Sequence, residues 1–343
     1  MDRGEYDAFR TGAGFVRLTG RGWIGVAGSD RVGFLQGLLT NDIAAIAPGS
    51  GCYAAYLTPQ GRMVADMHVL AEHDRIVLDV DDGVKDRLVE RFDALVFTED
   101  VAVSDLTPAV AAFGVHGPEA GRIVARAARL GDGGLALYEH QAFTVESRRG
   151  VAARIDDLGV EGYRLRVDGD AAVALRRALV EAGALEVSPD ACEVVRVESG
   201  RPAFPIDMDG ETIPLEAGIA DRAVSFDKGC YVGQEVIIRV LHRGQGRVAR
   251  QLVGLKLDAP AETDAPVPSR GAAVWKGDAQ VGRVTSAVRS PALGGRIALG
   301  YVARELAAAA GSAVAIAIGD DRVTAVVARL PFVPVQEPRP TSP

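Results

Sequence analysis

The segment DKGCYVGQEVIIR, residues 227–239, combines a thiol, a lysine and two glycines in a pattern that could support chemistry. Cys230 follows Lys228 and precedes apolar residues at helical spacing, and both a lysine and a helix N-terminus stabilise a thiolate. Free cysteine is also commonly buried as a small apolar residue. Three interpretations of Cys230 therefore stay open: a packed residue, a metal ligand, or a reactive thiol beside a bound molecule.

Two carboxylates stand among apolar residues. Asp66 lies inside the predicted strand MVADMHVL, where it either faces solvent or points into a pocket and accepts hydrogen bonds from a ligand ring. Glu198 ends an apolar helical stretch just before Gly200, and the C-terminus of a helix disfavours an anion. Such a carboxylate is either solvated or functional. The residues alone leave both alternatives open for each acid.

Several common catalytic patterns are absent from the sequence. It has no phosphate-binding loop, no dinucleotide fingerprint, no zinc-protease motif and no G-x-S-x-G elbow. Its three cysteines, Cys52, Cys192 and Cys230, form no C-x-x-C pair. This argues against a disulfide framework and against a thiolate zinc or iron–sulfur site within the chain. We expect no resident metal.

Charge and hydropathy exclude further classes of protein. Acidic residues outnumber basic residues 46 to 38, and the formal net charge is -8. Proteins that bind nucleic acid tightly use clustered cations, so strong direct binding of RNA or DNA is disfavoured. The N-terminal segment lacks the apolar core of a signal peptide, and no window approaches the roughly 18 apolar residues of a membrane span. We expect a cytoplasmic protein without membrane contact.

The elements that position these residues mix helices and strands without a regular βαβ alternation, which favours the α+β class. In the first third of the chain the predicted helices cover about 30–39 and 83–95. Strands are predicted over 52–57, 63–70, 75–80 and 100–106.

A second unit is predicted to begin at Pro108, with a helix from Pro118 and another that ends at Gly183. Its strands are predicted in VAAFGVHGP, LALYEH, FTVES and GYRLRVD. Beyond the linker-like residues 257–271, short strands separated by glycine predict a small barrel or sandwich. The tail VQEPRPTSP is predicted to be disordered.

Several segments together resemble the folate-binding YgfZ family, which is related to the aminomethyltransferase (T-protein) of the glycine cleavage system. They include VAGSDRVGFLQGLLTNDI, YLTPQGRMVADMHV and VRVESGRPAFPIDM, and they follow the family order from about residue 26 to 303. The most specific segment is K-G-C-[FY]-x-G-Q-E-x-x-x-R. It is matched here by Lys228, Gly229, Cys230, Tyr231, Gly233, Gln234, Glu235 and Arg239.

The resemblance implies an aminomethyltransferase-like, three-part ring. A discontinuous, folate-binding ferredoxin-like part would comprise residues 12–106 and about 188–245. A second α/β part would cover 107–187, and a C-terminal β-barrel would cover 246–333, followed by a disordered tail over 334–343.

The resemblance also implies a function: a tetrahydrofolate-binding factor that supports the assembly or repair of iron–sulfur clusters in client enzymes. Effects on tRNA modification would be indirect, through enzymes that carry such clusters. Cys230 becomes the functional thiol, with Lys228 beside it. The residues assigned to the folate are Asp66, Glu198, Tyr231, Gln234, Arg239 and Arg243.

The chain departs from the transferases at one acidic pair. Their G-G-x-x-D-D segment corresponds to GRMVAD, in which Arg62 replaces the second glycine and Ala65 replaces one acid. Glu198 does match the acid of the R-x-E-x-G segment that meets the pterin in the transferases. The alternative function is therefore a folate-dependent aminomethyltransferase or other one-carbon transferase.

Overall fold

The computed structural model describes residues 2–131, 134–242, 246–258 and 265–334. The strands in chain order are β1 Gly14–Arg17, β2 Arg21–Ala27, β3 Gly51–Leu57, β4 Met63–Ala71, β5 Arg75–Asp81, β6 Ala102–Asp105, β7 Val110–His116, β8 His140–Val145, β9 Arg148–Arg154, β10 Gly162–Asp168, β11 Leu185–Glu186, β12 Arg250–Leu257, β13 Ala273–Lys276, β14 Ala279–Ser290, β15 Gly295–Ala303, β16 Ala313–Ile318 and β17 Asp321–Ala328.

The helices lie between and after these strands. In chain order they are α1 Arg3–Thr11, α2 Arg31–Leu38, α3 Asp82–Asp93, α4 Ala120–Ala128, α5 Ala172–Ala182, α6 Pro189–Glu198, α7 Pro214–Ala217, α8 Ala220–Ala223, α9 Gln234–His242 and α10 Arg304–Ala307.

The first sheet has the strand order β3-β4-β5-β2-β6, with antiparallel neighbours throughout. Strand β4 is buried over almost its whole length, on both faces, which explains why Asp66 and His68 are its only polar residues. Helices α2 and α3 contribute Leu35, Leu88 and Phe92 to the core on this sheet, and α9 contributes Ile237. The strand that carries Asp66 is therefore rigidly held.

The second sheet has the order β11-β1-β7-β10-β9-β8 and is covered by α4 and α5. Strand β1 pairs with β7 in this sheet, so residues 14–17 do not lie in the first sheet as the division at residue 107 implies. After α1 the chain enters this sheet as β1, between β11 and β7. It crosses to the first sheet only at β2.

The C-terminal strands close into a barrel with the order β12-β15-β14-β13-β16-β17. Helices α1 and α6 pack against the barrel, where Phe9 and Val195 meet Leu299 and Tyr301. The α+β class and the C-terminal barrel predicted from the sequence are confirmed.

Some local features of the structure differ from the sequence-based predictions or were not predicted. The segment LALYEH is not a strand before His140, because Tyr138 adopts a positive φ of 64° and the Glu139 amide closes a turn onto the Ala136 carbonyl. Strand β9 was not predicted, since its hairpin turns through Glu146 and Ser147 without a glycine. Helix α1 was also not predicted, although Asp2 and Glu5 form a capping box.

Some predictions fall on residues outside the described ranges. These are Arg243, residues 259–264 of the linker-like segment, and residues 335–343 of the tail.

Candidate functional site

Asp66 is a buried carboxylate with a defined orientation. It lies in β4 and is 8% exposed, and the Tyr53 hydroxyl donates a hydrogen bond of 2.6 Å to its Oδ2. Burial raises the pKa of Asp66, while the positive charge of Arg21 and the Tyr53 hydrogen bond oppose the shift. The pocket interpretation of Asp66 therefore agrees with its burial, and the solvent-facing alternative does not.

A chain of aromatic rings begins at Tyr53, the hydrogen-bond partner of this carboxylate. Tyr53 lies opposite His68 across the β3–β4 pair, with ring centroids 5.4 Å apart. The Tyr138 ring lies 6.0 Å from His68 on the chain segment before β8. We define the central cluster as Tyr53, Asp66, His68, Tyr138 and Arg222.

Arg222 completes the central cluster from a different part of the chain. Its guanidinium lies 5.3 Å from the centroid of the Tyr53 ring, at cation–π distance. The Asn41 side-chain amide donates to the carbonyls of both Tyr53 and Arg222, at 2.8 and 3.1 Å. Asn41 therefore fixes α8 against β3.

A buried ion network lies in contact with the central cluster. Asp79 of β5 is fully buried and accepts from Arg21 at 2.7 Å and from Arg164 of β10. Arg164 also pairs with Asp157. Burial lowers the pKa of Arg164 and raises the pKa of Asp157 to about 6. The network joins the two sheets and supplies positive charge next to Asp66 and His68.

Cys230 lies at the surface, whereas the other two thiols are largely buried. Burial raises the pKa of both Cys52 and Cys192 to about 12, which keeps these thiols protonated at neutral pH. Since all three cysteines lie within the described ranges, Cys230 is the one thiol of the chain that is exposed. This excludes the packed-residue interpretation.

Lys228 does not act on Cys230 through a direct contact in this structure. Its ammonium donates to the carbonyls of Gln36, Leu39 and Asn41, at 2.6, 2.7 and 2.9 Å. Three acceptors use all three protons of the ammonium group. Lys228 therefore fixes the 227–233 loop to the C-terminal end of α2, which differs from the expected role as thiolate partner.

Gly233 and Gly61 hold the same loop against the β3–β4 turn. Gly233 has a φ of +85°, and a Cβ there would lie 2.5 Å from the Thr58 carbonyl oxygen. Gly61 has a φ of +74°, and its Cβ would lie 2.9 Å from the Val236 side chain. The backbone of Gly233 thus approaches the turn closely, whereas Gly229 has open space around it. The 227–233 loop is thus attached to the β3–β4 hairpin, which carries Asp66.

Glu198 is buried at a different junction. Its side chain is 0% exposed and accepts from the Tyr6 hydroxyl at 2.8 Å, from Arg10 and from Ser290. Both carboxylate oxygens therefore have partners within the protein. The solvated alternative is excluded, and the carboxylate joins α1, α6 and the barrel.

The other predicted folate residues lie on or before α9. Tyr231 is buried in the core of the first sheet, and its ring centroid is 5.3 Å from the Lys228 ammonium. Gln234 begins α9, and Arg239 lies on its exposed face without an ion pair to any other described residue. The structure joins none of these three to the central cluster by a hydrogen bond within the described ranges.

Sequence reasoning missed Tyr53, His68, Tyr138 and Arg222. His68 had a usable signal, because it lies two residues after Asp66 and so on the same face of β4. Tyr53, Tyr138 and Arg222 come from separate elements, and only their packing brings them together.

A separate groove of about 710 Å³ lies between the β4–β5 turn and strands β8 to β10. Glu72 binds both Arg75, at 2.8 Å, and Arg166. The three acidic and three arginine side chains of the lining balance in charge, so we assign the groove no ligand.

The described residues form neither a metal-binding cluster nor a membrane-spanning helix. No group of three or more His, Cys, Asp or Glu side chains is arranged to hold a metal ion among the residues described. Within the same ranges, no helix has both the length and the apolar character needed to span a bilayer.

Comparison with solved structures shows the fold. The crystal structure of glycine cleavage system aminomethyltransferase T from Bartonella henselae superposes with a TM-score of 0.84. The match covers 96% of this chain and 89% of that chain, at 23% sequence identity.

Comparison of sequences shows the family. The Arabidopsis thaliana protein named "Putative transferase At1g60990, chloroplastic" is 30% identical over 337 residues, which cover 97% of this chain and 74% of that protein. The aminomethyltransferase of Rubrobacter xylanophilus is 30% identical over 303 residues, covering 88% and 79%. The GCVT N-terminal domain matches residues 2–228, and the glycine cleavage T-protein C-terminal barrel domain matches residues 250–334. The chain therefore belongs to the glycine cleavage T-protein (GCVT) family.

Proposed function

We propose that this protein binds a reduced folate in the central cluster and supports the assembly or repair of iron–sulfur clusters in client enzymes. The observation that carries the folate part is the carboxylate of Asp66, which is buried and oriented by the Tyr53 hydroxyl. Burying a carboxylate costs free energy, and such a cost is typical of a functional site.

The residues of the central cluster fit a pterin. A carboxylate accepts two adjacent N–H groups side by side, as the amino-pyrimidine edge of a pterin presents them. The rings of Tyr53, His68 and Tyr138 offer flat faces to a planar ligand. Bound tetrahydrofolate would supply a carrier for one-carbon units, while the protein binds and orients its ring.

The iron–sulfur part rests on how Cys230 is presented. Lys228 and Tyr231 are both buried and anchor the loop on either side of the exposed Gly229 and Cys230. A thiol on a fixed, exposed loop is accessible to a partner protein or to iron carried by one. The acidic chain agrees with an indirect effect on tRNA modification through client enzymes.

The test is complementation of a cell that lacks its own factor of this kind, with the activity of an iron–sulfur enzyme as the readout. We expect Cys230→Ala to fold normally, because the side chain is exposed, and to lose support of the enzyme. Cys52→Ala is the matched control and should retain support. Full support by the Cys230→Ala variant would show that the thiol has no such role.

A second candidate is a folate-dependent aminomethyltransferase, which is what several relatives are named. Asp66 favours it, since the transferases carry an acid at the matching position. Ala65, which is fully buried in place of the second acid, opposes it. Measurable formation of methylenetetrahydrofolate from an aminomethyl donor would favour this candidate over the iron–sulfur factor.

A further inference from the structure

His68 occupies a central place in the cluster. It lies on the same face of β4 as Asp66, two residues further along, so the two side chains are roughly 7 Å apart. Its ring lies between those of Tyr53 and Tyr138, which come from β3 and from the segment before β8. Three separate chain segments therefore fix the imidazole beside the carboxylate.

The imidazole has an unsatisfied hydrogen-bonding atom. His68 is 6% exposed, and its Nδ1 has no partner within the described residues. A buried polar atom without a partner costs free energy, and such atoms in folded proteins normally bind something. Leu70, two residues further along on the same face of β4, is a buried apolar residue, so this face of the core does not itself need a histidine.

The surrounding charges fix the state of this ring. Burial lowers the pKa of His68, and the charges of Arg164, Arg21 and Arg222 lower it further. The imidazole is therefore neutral at physiological pH, with one donor and one acceptor nitrogen. Such a ring can satisfy either a carbonyl oxygen or an N–H group of a ligand.

We infer that His68 is a ligand-binding residue that hydrogen-bonds through Nδ1 to the bound ring, next to the edge held by Asp66. The inference rests on the proposed folate site and adds a residue that determines which ring edge is accepted. A planar bicyclic ligand with polar atoms on two neighbouring edges matches the spacing of the two side chains along β4.

The experiment measures the affinity of the full-length protein for 5-formyltetrahydrofolate by calorimetry. We expect His68→Leu, which removes both nitrogens, to weaken binding about 5- to 100-fold, the range for loss of one hydrogen bond. His68→Asn retains a polar atom near the Nδ1 position and should recover most of this loss. His140→Leu is the matched control, because His140 is also buried with an unpartnered Nδ1, but in the separate groove.

A second measurement keeps the inference testable if the leucine variant does not fold. The ¹⁵N resonance of His68 Nδ1 in the wild-type protein should shift on addition of the ligand, and that of His140 should not. Unchanged affinity of His68→Leu, or a His68 resonance that ignores saturating ligand, overturns the inference alone. A wild-type protein that binds no folate overturns the proposed function and the inference with it.

Discussion

Asp66 illustrates the conflict between stability and binding at a single residue. Its carboxylate accepts a hydrogen bond from the Tyr53 hydroxyl, and the residue is only 8% exposed. Burial raises its pKa because the charged form loses solvation. A residue that only stabilised the fold would not need a charge at this position.

We predict that Asp66→Asn is more thermally stable than the wild type at about pH 8 and similar to it near pH 4. Since the folded-state pKa of Asp66 is raised, the folded protein retains a proton that the unfolded chain has lost, and stability falls as pH rises through that window. Scanning calorimetry across this range measures the effect, with the exposed Asp278→Asn as control.

The same variant should lose folate affinity by about 10- to 100-fold, because an amide cannot accept two N–H groups as a carboxylate does. A lower melting temperature at pH 8 combined with unchanged affinity would contradict both the electrostatic argument and the assignment of Asp66 to the ligand.

Lys228 and Glu198 show how a motif residue can hold separate elements of the fold together. The Lys228 ammonium satisfies three carbonyls at the end of α2, where a helix leaves its acceptors unpaired. Glu198 joins Tyr6, Arg10 and Ser290. In this chain both motif residues position elements around the site.

At the scale of elements, the start of α9 and the loop before it lie close against the β3–β4 turn. Both Gly61 and Gly233 have positive φ angles, and each leaves space that the other segment fills. The distance between the 227–233 loop and strand β4 is therefore set by Gly61 and Gly233.

We predict that Gly233→Ala destabilises the protein by about 2–4 kcal/mol, because it adds left-handed backbone strain and a contact with the Thr58 carbonyl. Gly229→Ala is the matched control in the same motif and should change stability by less than about 0.5 kcal/mol, since its Cβ meets open space. Urea unfolding compares the two variants. Equal effects would mean that the loop does not dock as described.

At the scale of the whole molecule, buried charged residues connect the two sheets to each other and α6 to the barrel. Asp79 and Arg164 link the two sheets, and Asp207 links α6 to the barrel. Asp207 is 2% exposed and accepts from Arg196 at 2.6 Å and from Ser286 at 2.8 Å.

We predict that Asp207→Ala costs about 3–5 kcal/mol, because it leaves the buried Arg196 without this partner. The barrel of residues 250–334 should then become accessible to limited proteolysis. Asp209→Ala removes a more exposed pair with Arg283, at 3.0 Å, and should cost about 1 kcal/mol or less. Identical proteolysis of both variants would contradict a junction held by Asp207.

Local patterns in the sequence predicted many of the elements. Helix α5 ends at Gly183 as predicted, because glycine adopts the left-handed conformation that closes the helix. Strand β4 follows from its mostly apolar sequence, and β14 follows from its place among short strands separated by glycine. Strand β9 could not be predicted in this way, since Glu146 and Ser147 form its turn without the usual glycine.

The sequence by itself determined the α+β class, the C-terminal strands and the identity of Asp66 and Cys230 as residues of interest. Only the tertiary structure decided that Cys230 is exposed, that the Glu198 carboxylate is fully paired, and that His68 meets Tyr53 and Tyr138 beside Asp66. The physical reason is the sequence separation of the residues involved. The periodic patterns that predict helices and strands depend on residues that are near neighbours along the chain. Burial and ion pairing depend instead on segments that lie far apart in sequence and meet only after folding.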